Sequence, residues 1–170
     1  AKTELIAMRP LLIAYVELVY SIAQLVAGVL VGIVLKKKIG VKNTLILGLC
    51  LSGLFTILAS FITDPTTLFW LNAVNGFGYG LTYNVLLGMA MQPFASDMRE
   101  VTMGIYQTFF AVGIYYGDKI YALMTGFVSK DLSAGQRYQT VFGWLGWVSV
   151  IAVIFVLAVF NKRAKAYIEA

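Results

Sequence analysis

The chain contains no histidine and a single cysteine, Cys50, set inside an apolar run. Without histidine the commonest general base and metal ligand is missing, which argues against catalysis and against a metal site. One cysteine closes no internal disulfide, and Cys50 reads as a small buried apolar side chain. Charge is scarce as well. Only 12% of the 170 residues are charged, against about 25% in a soluble domain. No cleavable signal peptide is evident, because the charged start AKTELIAMRP leads into a run too long for a signal core. Nor is there an initiator methionine, which leads us to expect a fragment or a processed product.

What is abundant is apolar surface. Hydrophobic residues make up 60% of the chain, and the mean hydropathy is +0.83. Water cannot cover that surface, so lipid must. A helix needs about 20 mostly apolar residues to cross the hydrocarbon. Five segments meet this need, at roughly 12–35, 44–62, 67–91, 101–128 and 140–160. Strict alternation of apolar and polar residues is absent, which excludes a β-barrel. The expected fold is all-α: a polytopic transmembrane helix bundle of five spans, forming a single domain over 1–170. The connections KKKIGVKN, TDP, QPFASDMRE and SKDLSAGQR are short and polar, and carry turn-forming Pro and Gly.

Basic residues collect on the cytoplasmic side of membrane proteins. Lys36, Lys37, Lys38 and Lys42 follow the first span, Arg99 precedes the fourth, and Lys162, Arg163 and Lys165 follow the fifth. With Lys2, Arg9, Lys130 and Arg137 on the other side, eight basic residues face four across the membrane. The expected orientation puts the C-terminus in the cytoplasm of a cell membrane, plasma or bacterial inner. The net charge of +5 sits at membrane edges, where it attracts anionic lipid, so no nucleic-acid partner is expected.

Polar groups inside a bilayer are costly and face a bundle interior or a wet cavity. The first span carries Glu17, Ser21 and Gln24 on one helical face. The third carries the stripe Asn72, Asn75, Tyr79 and Tyr83, with Asn84 off to the side. In the fourth, Gln107 and Asp118 share a face eleven residues apart, near Lys119. The candidate solute-contacting residues are therefore Glu17, Gln24, Asn72, Asn75, Tyr79, Tyr83, Gln107 and Asp118. Glu17 or Asp118 is expected to pair with Lys119. The second and fifth spans hold no ionisable interior residue and are expected to be peripheral and lipid-facing. Trp70, Trp144 and Trp147 read as interface anchors.

Small residues let membrane helices approach closely. Gly28 and Gly32, Gly113 and Gly117, and the run GFGYG (Gly76, Gly78, Gly80) are candidates for such contacts. GFGYG lies inside a span with no strand before it, so it is not a nucleotide-binding loop. No cofactor is implied. No Ser/Lys or paired-Asp arrangement with catalytic spacing is present, and the chain is not expected to be an enzyme.

Four segments together resemble a known family. AYVELVYSIAQLVAG, GVLVGIVLKKKIGVKNTLILG, NAVNGFGYGLTYNVLLGMAMQPF and MGIYQTFFAVGIYYGDKI are similar to the C-terminal half of a major facilitator superfamily transporter. The likeness runs from about its eighth helix to its twelfth. Two positions depart from the family pattern: no acidic residue stands near Lys36 or Lys37, and Asp118 stands where the family often has Pro. The resemblance implies part of a secondary active transporter that moves a small solute by alternating access, coupled to an ion gradient such as protons. Its partners would be the bilayer, the solute and the remaining N-terminal helices. The aromatic-rich interior leans toward efflux of a drug-like, amphipathic solute, as by an antiporter, over nutrient uptake. The alternative is a non-transporting membrane scaffold or assembly subunit, suggested by the five-span count and the GxxxG faces.

Overall fold

The computed structural model describes the backbone of residues 10–168 and the side chains of residues 15–160. Lys2 and Arg9, and the side chains of Lys162, Arg163 and Lys165, which entered the charge argument, lie outside the described residues.

Among the described residues, five long helices are joined by short turns. The first, Pro10–Leu30, opens on a proline, whose missing N–H costs nothing in a first turn. It runs on through a π-helical stretch, Val31–Leu35, into Lys36–Lys38. Gly40 then takes φ +80°, the left-handed conformation that favours glycine, and reverses the chain. The second helix, Gly40–Ala59, starts at once. Its Thr44 is fully buried, and the hydroxyl donates back to the Gly40 carbonyl at 2.7 Å.

The third helix, Pro65–Met91, is capped by Asp64. The Asp64 carboxylate accepts from the Thr67 N–H at 2.7 Å and from its hydroxyl at 2.6 Å. A short 3-10 turn, Ser96–Met98, leads into the fourth helix, Arg99–Phe127. The fifth, Ala134–Ile168, opens with a reciprocal cap. Gln136 N–H donates to the Ser133 hydroxyl at 3.3 Å, and Ser133 N–H donates to the Gln136 side-chain oxygen at 3.0 Å.

Length and apolarity alone qualify three of the described helical segments to cross a membrane: Tyr15–Lys38, Gly40–Ala59 and Ala134–Phe160. The third and fourth helices are long enough but more polar. The protein is thus an all-helical, multi-pass membrane bundle in which two of the helices are markedly more polar than the rest.

Glycines set the packing of the third helix, which stands at the centre. A Cβ on Gly76 would collide with the Tyr20 carbonyl oxygen, and one on Gly80 would lie 2.6 Å from that of Gln24. A Cβ on Gly78 would lie 2.8 Å from the Gly48 oxygen of the second helix. GFGYG therefore clamps one backbone between two others. First and third helices run parallel in a fixed register. Val16 meets Asn72, Tyr20 meets Gly76, Gln24 meets Gly80 and Gly28 meets Asn84, one step every four residues. Second and fifth helices run antiparallel, with Gly53 on Ser149 and Gly146 on Ile57. The best-buried core joins Ala27, Val31, Leu45, Leu81 and Val85 from the first three helices.

Two expectations about helix faces need correction. The second helix is not simply lipid-facing. It packs between the third and fifth helices and buries Thr44, Leu45, Gly48, Gly53 and Ala59. Its exposed residues shrink to one stripe, Asn43, Leu47, Cys50, Leu54 and Ile57. Cys50 is exposed on that stripe rather than buried. The fourth helix is not an interior element of the described bundle. None of its residues is buried, and every residue from 111 to 120 is exposed. Small residues at Gly48 and Gly53 draw the second helix inward, whereas Gly113 and Gly117 meet nothing within 4 Å.

Candidate functional site

The polar stripe of the third helix lies in the groove between the first and fourth helices. Gly76, Gly80 and Asn84 point toward the first helix, and Gly78 and Leu81 toward the second, which leaves the face of Asn72, Asn75, Tyr79 and Tyr83 between them. First and fourth helices do not touch each other; each touches the third.

Aromatic rings bridge the groove. Tyr79 sits 5.8 Å from Tyr20 of the first helix and 6.1 Å from Phe110 of the fourth, centroid to centroid. It also stacks on Tyr83, one turn along, at 6.1 Å with the planes 13° apart. Tyr83 in turn meets Phe110 at 5.1 Å and Tyr106 at 5.9 Å. Gln107 donates its side-chain N–H to the Tyr83 hydroxyl. Five aromatic residues thus form a continuous wall, with one amide set into it. Such rings prefer the offset and edge-on arrangements seen here, and a planar solute meets the same preference.

The other candidate residues take separate places. Asn72 donates to the Val16 carbonyl at 3.2 Å, tying the third helix to the first. Asn75 is half-buried on the stripe. Gln24 is half-buried, with its backbone pressed against Gly80. Glu17 is exposed on the first helix, one turn from Tyr20. By helical rise, the antiparallel match of Tyr79 with Phe110 sets Asn72 near the level of Gly117, about 10 Å along from the aromatic wall; Glu17, Asp118 and Lys119 belong to this polar band by level and not by contact. Asp118 lies on the exposed stretch of the fourth helix, away from the wall.

The expected pairing of Lys119 with an acid is corrected. The Lys119 ammonium donates to the Tyr115 hydroxyl at 2.8 Å and lies 4.2 Å from that ring's centroid. Asp118 is a hundred degrees around the same helix from Lys119. Tyr20 and Tyr106, two of the tyrosines that the sequence offers as lining for an amphipathic solute, belong to the wall, and so does Phe110, which the sequence does not single out. The spacing of Tyr106 and Phe110, four apart and next to Gln107, was the available signal. Asn84 was set aside as off-stripe. It is half-buried, donates to the Gly80 carbonyl at 2.8 Å and fills the space beside Gly28.

This geometry defines a class: a multi-pass membrane protein whose central helix presents polar and aromatic groups between two flanking helices. A family model described as Major Facilitator Superfamily matches residues 4–168, and the chain belongs to that family of transporters. No curated protein and no solved structure matches the chain.

Proposed function

We propose that this chain supplies part of a secondary active transporter that carries a small amphipathic solute by alternating access, driven by an ion gradient. The observation that carries the reading is the aromatic wall of Tyr20, Tyr79, Tyr83, Tyr106 and Phe110 with Gln107 bonded to Tyr83. A wall of rings with one amide suits a solute with a flat apolar body and a single polar group. That chemistry favours efflux of drug-like molecules over uptake of a sugar, in the manner of an antiporter. Glu17, Gln24, Asn72, Asn75, Tyr79, Tyr83, Gln107 and Asp118 are the residues we assign to solute or proton contact. Glu17 and Asp118, exposed in the polar band, are the carboxylates placed to exchange protons with a wet cavity.

The exposed faces of the first and fourth helices are the surfaces on which the N-terminal helices of the full transporter would close the cavity. We place the protein in a cell membrane with the C-terminus in the cytoplasm, on the strength of the Lys36–Lys38 cluster. A scaffold role fits less well, because it gives no reason for a ring-lined polar groove.

The test is access. Asn75→Cys, in the full-length natural protein otherwise free of cysteine, is treated with a membrane-impermeant maleimide from each side of the membrane. Alternating access predicts labelling from both sides, with the balance shifted by an imposed proton gradient. Labelling from one side only, unmoved by the gradient, contradicts it.

A further inference from the structure

We propose that Lys119, held by Tyr115 and flanked by Tyr116, is an anion-binding position on the solute path and takes the carboxylate of an amphipathic solute. The proposal rests on the transporter reading above and adds the charge of the cargo.

The first observation concerns what the exposed face of the fourth helix can border. Charged side chains within membrane spans are rare and mostly face a bundle interior or a water-filled cavity. Lys119 lies eight residues, about 12 Å, inside the end of Arg99–Phe127, beside a second charge, Asp118. The exposed side of the fifth helix shows the contrast: Trp147, Val148, Ile151, Ile154 and Phe155 are all apolar and suit lipid. The fourth helix is too polar to qualify as a span by composition, unlike the fifth. Its exposed charged stretch therefore borders water or the closing helices, not lipid.

The second observation is how the ammonium is held. Lysine has three N–H donors. One goes to the Tyr115 hydroxyl at 2.8 Å, and the rings of Tyr115 and Tyr116 lie 4.2 Å and 5.7 Å away. Tyr115 is 61% exposed and Tyr116 52%, and the two rings meet edge-on at 5.2 Å. The contact with Tyr115 uses one of the three donors and leaves two for a solute. A carboxylate arriving there forms charge-assisted hydrogen bonds, with its apolar body against Tyr116. By helical rise the position lies about 10 Å along from the aromatic wall.

The experiment uses the purified full-length natural protein in detergent and three probes of one shape: phenylacetate, its neutral isostere phenylacetamide, and phenethylamine. Binding is measured by calorimetry. Phenylacetate is expected to bind tighter than the other two. Lys119→Gln should weaken phenylacetate about tenfold, the scale of one charge-assisted hydrogen bond, and leave phenylacetamide unchanged. Lys119→Arg should retain the preference, and thermal stability of both variants should match the parent. Absence of phenylacetate binding overturns the proposal, as does equal binding by Lys119→Gln. Binding of phenylacetamide or phenethylamine alone refutes the anion site while leaving the transporter reading intact.

Discussion

Gly80→Ala adds one methyl group where two helix backbones meet. Its Cβ would lie 2.6 Å from the Gln24 carbonyl oxygen and 2.9 Å from the Ala27 Cβ. Ordinary contact begins at 3.4 Å, so the first and third helices must part by about 0.8 Å. A carbonyl oxygen cannot swing aside as a side chain does. The register at Val16/Asn72, Tyr20/Gly76, Gln24/Gly80 and Gly28/Asn84 means that the gap opens along the whole interface. On the order of 30 close atom pairs, at ~0.1–0.2 kcal/mol each, would lose a quarter to a half of their attraction, or ~1–3 kcal/mol. Overpacking in cores falls in the same range. Gly88→Ala is the control, since nothing lies within 4 Å of its Cβ and it gains the same helix propensity. We expect the denaturant midpoint of detergent-solubilised Gly80→Ala to fall clearly below that of Gly88→Ala. Equal midpoints would refute the close approach of these two helices.

Other perturbations follow from the same geometry. The hydrogen bonds from the Thr67 side chain and backbone hold the Asp64 carboxyl below its ordinary value of 3.8. The cap therefore contributes fully above that pH and is lost as pH falls through the lower folded value, so Asp64→Asn should unfold at a midpoint less sensitive to acid than the parent. Gly40→Ala forces a side chain into φ +80° with no neighbour to clash, and should cost about 1–2 kcal/mol by chemical denaturation, against little change in Gly32→Ala. Asn72→Ala removes the bond to the Val16 carbonyl and should cost about 0.6–1 kcal/mol in a double-mutant comparison with Gly76→Ala.

Much of this architecture is legible in the sequence, for reasons that differ by element. The helices are legible because a long apolar run in lipid must satisfy its backbone internally, and a helix does so within the run. The stripe Asn72, Asn75, Tyr79 and Tyr83 is legible because polar groups in such a run must face something other than lipid. GFGYG gives away close packing, although not that alternate glycines serve opposite neighbours. What hydropathy does not carry is which apolar face meets protein and which meets lipid, since both environments are apolar. The inward position of the second helix depends on Gly48 and Gly53 meeting Gly78 and Ser149, which is a matter of shape. The partner of Lys119 was misjudged for a related reason. Charge complementarity points to Glu17 or Asp118, but helical phase turns Asp118 away, and Tyr115 stands one turn along the same helix within hydrogen-bond reach. Phe110 escaped notice because nothing separates a ring in a solute path from a ring in a core until its neighbours are known.

The central claim is solute movement coupled to an ion gradient, and flux tests it most directly. Full-length natural protein in sealed liposomes, with a proton gradient imposed, is given phenylacetate, phenylacetamide and phenethylamine in turn. We predict that at least one of them moves against its own gradient, that a protonophore stops the movement, and that Gln107→Ala slows it by unseating Tyr83. Flux no greater than in protein-free liposomes for all three solutes would contradict the account.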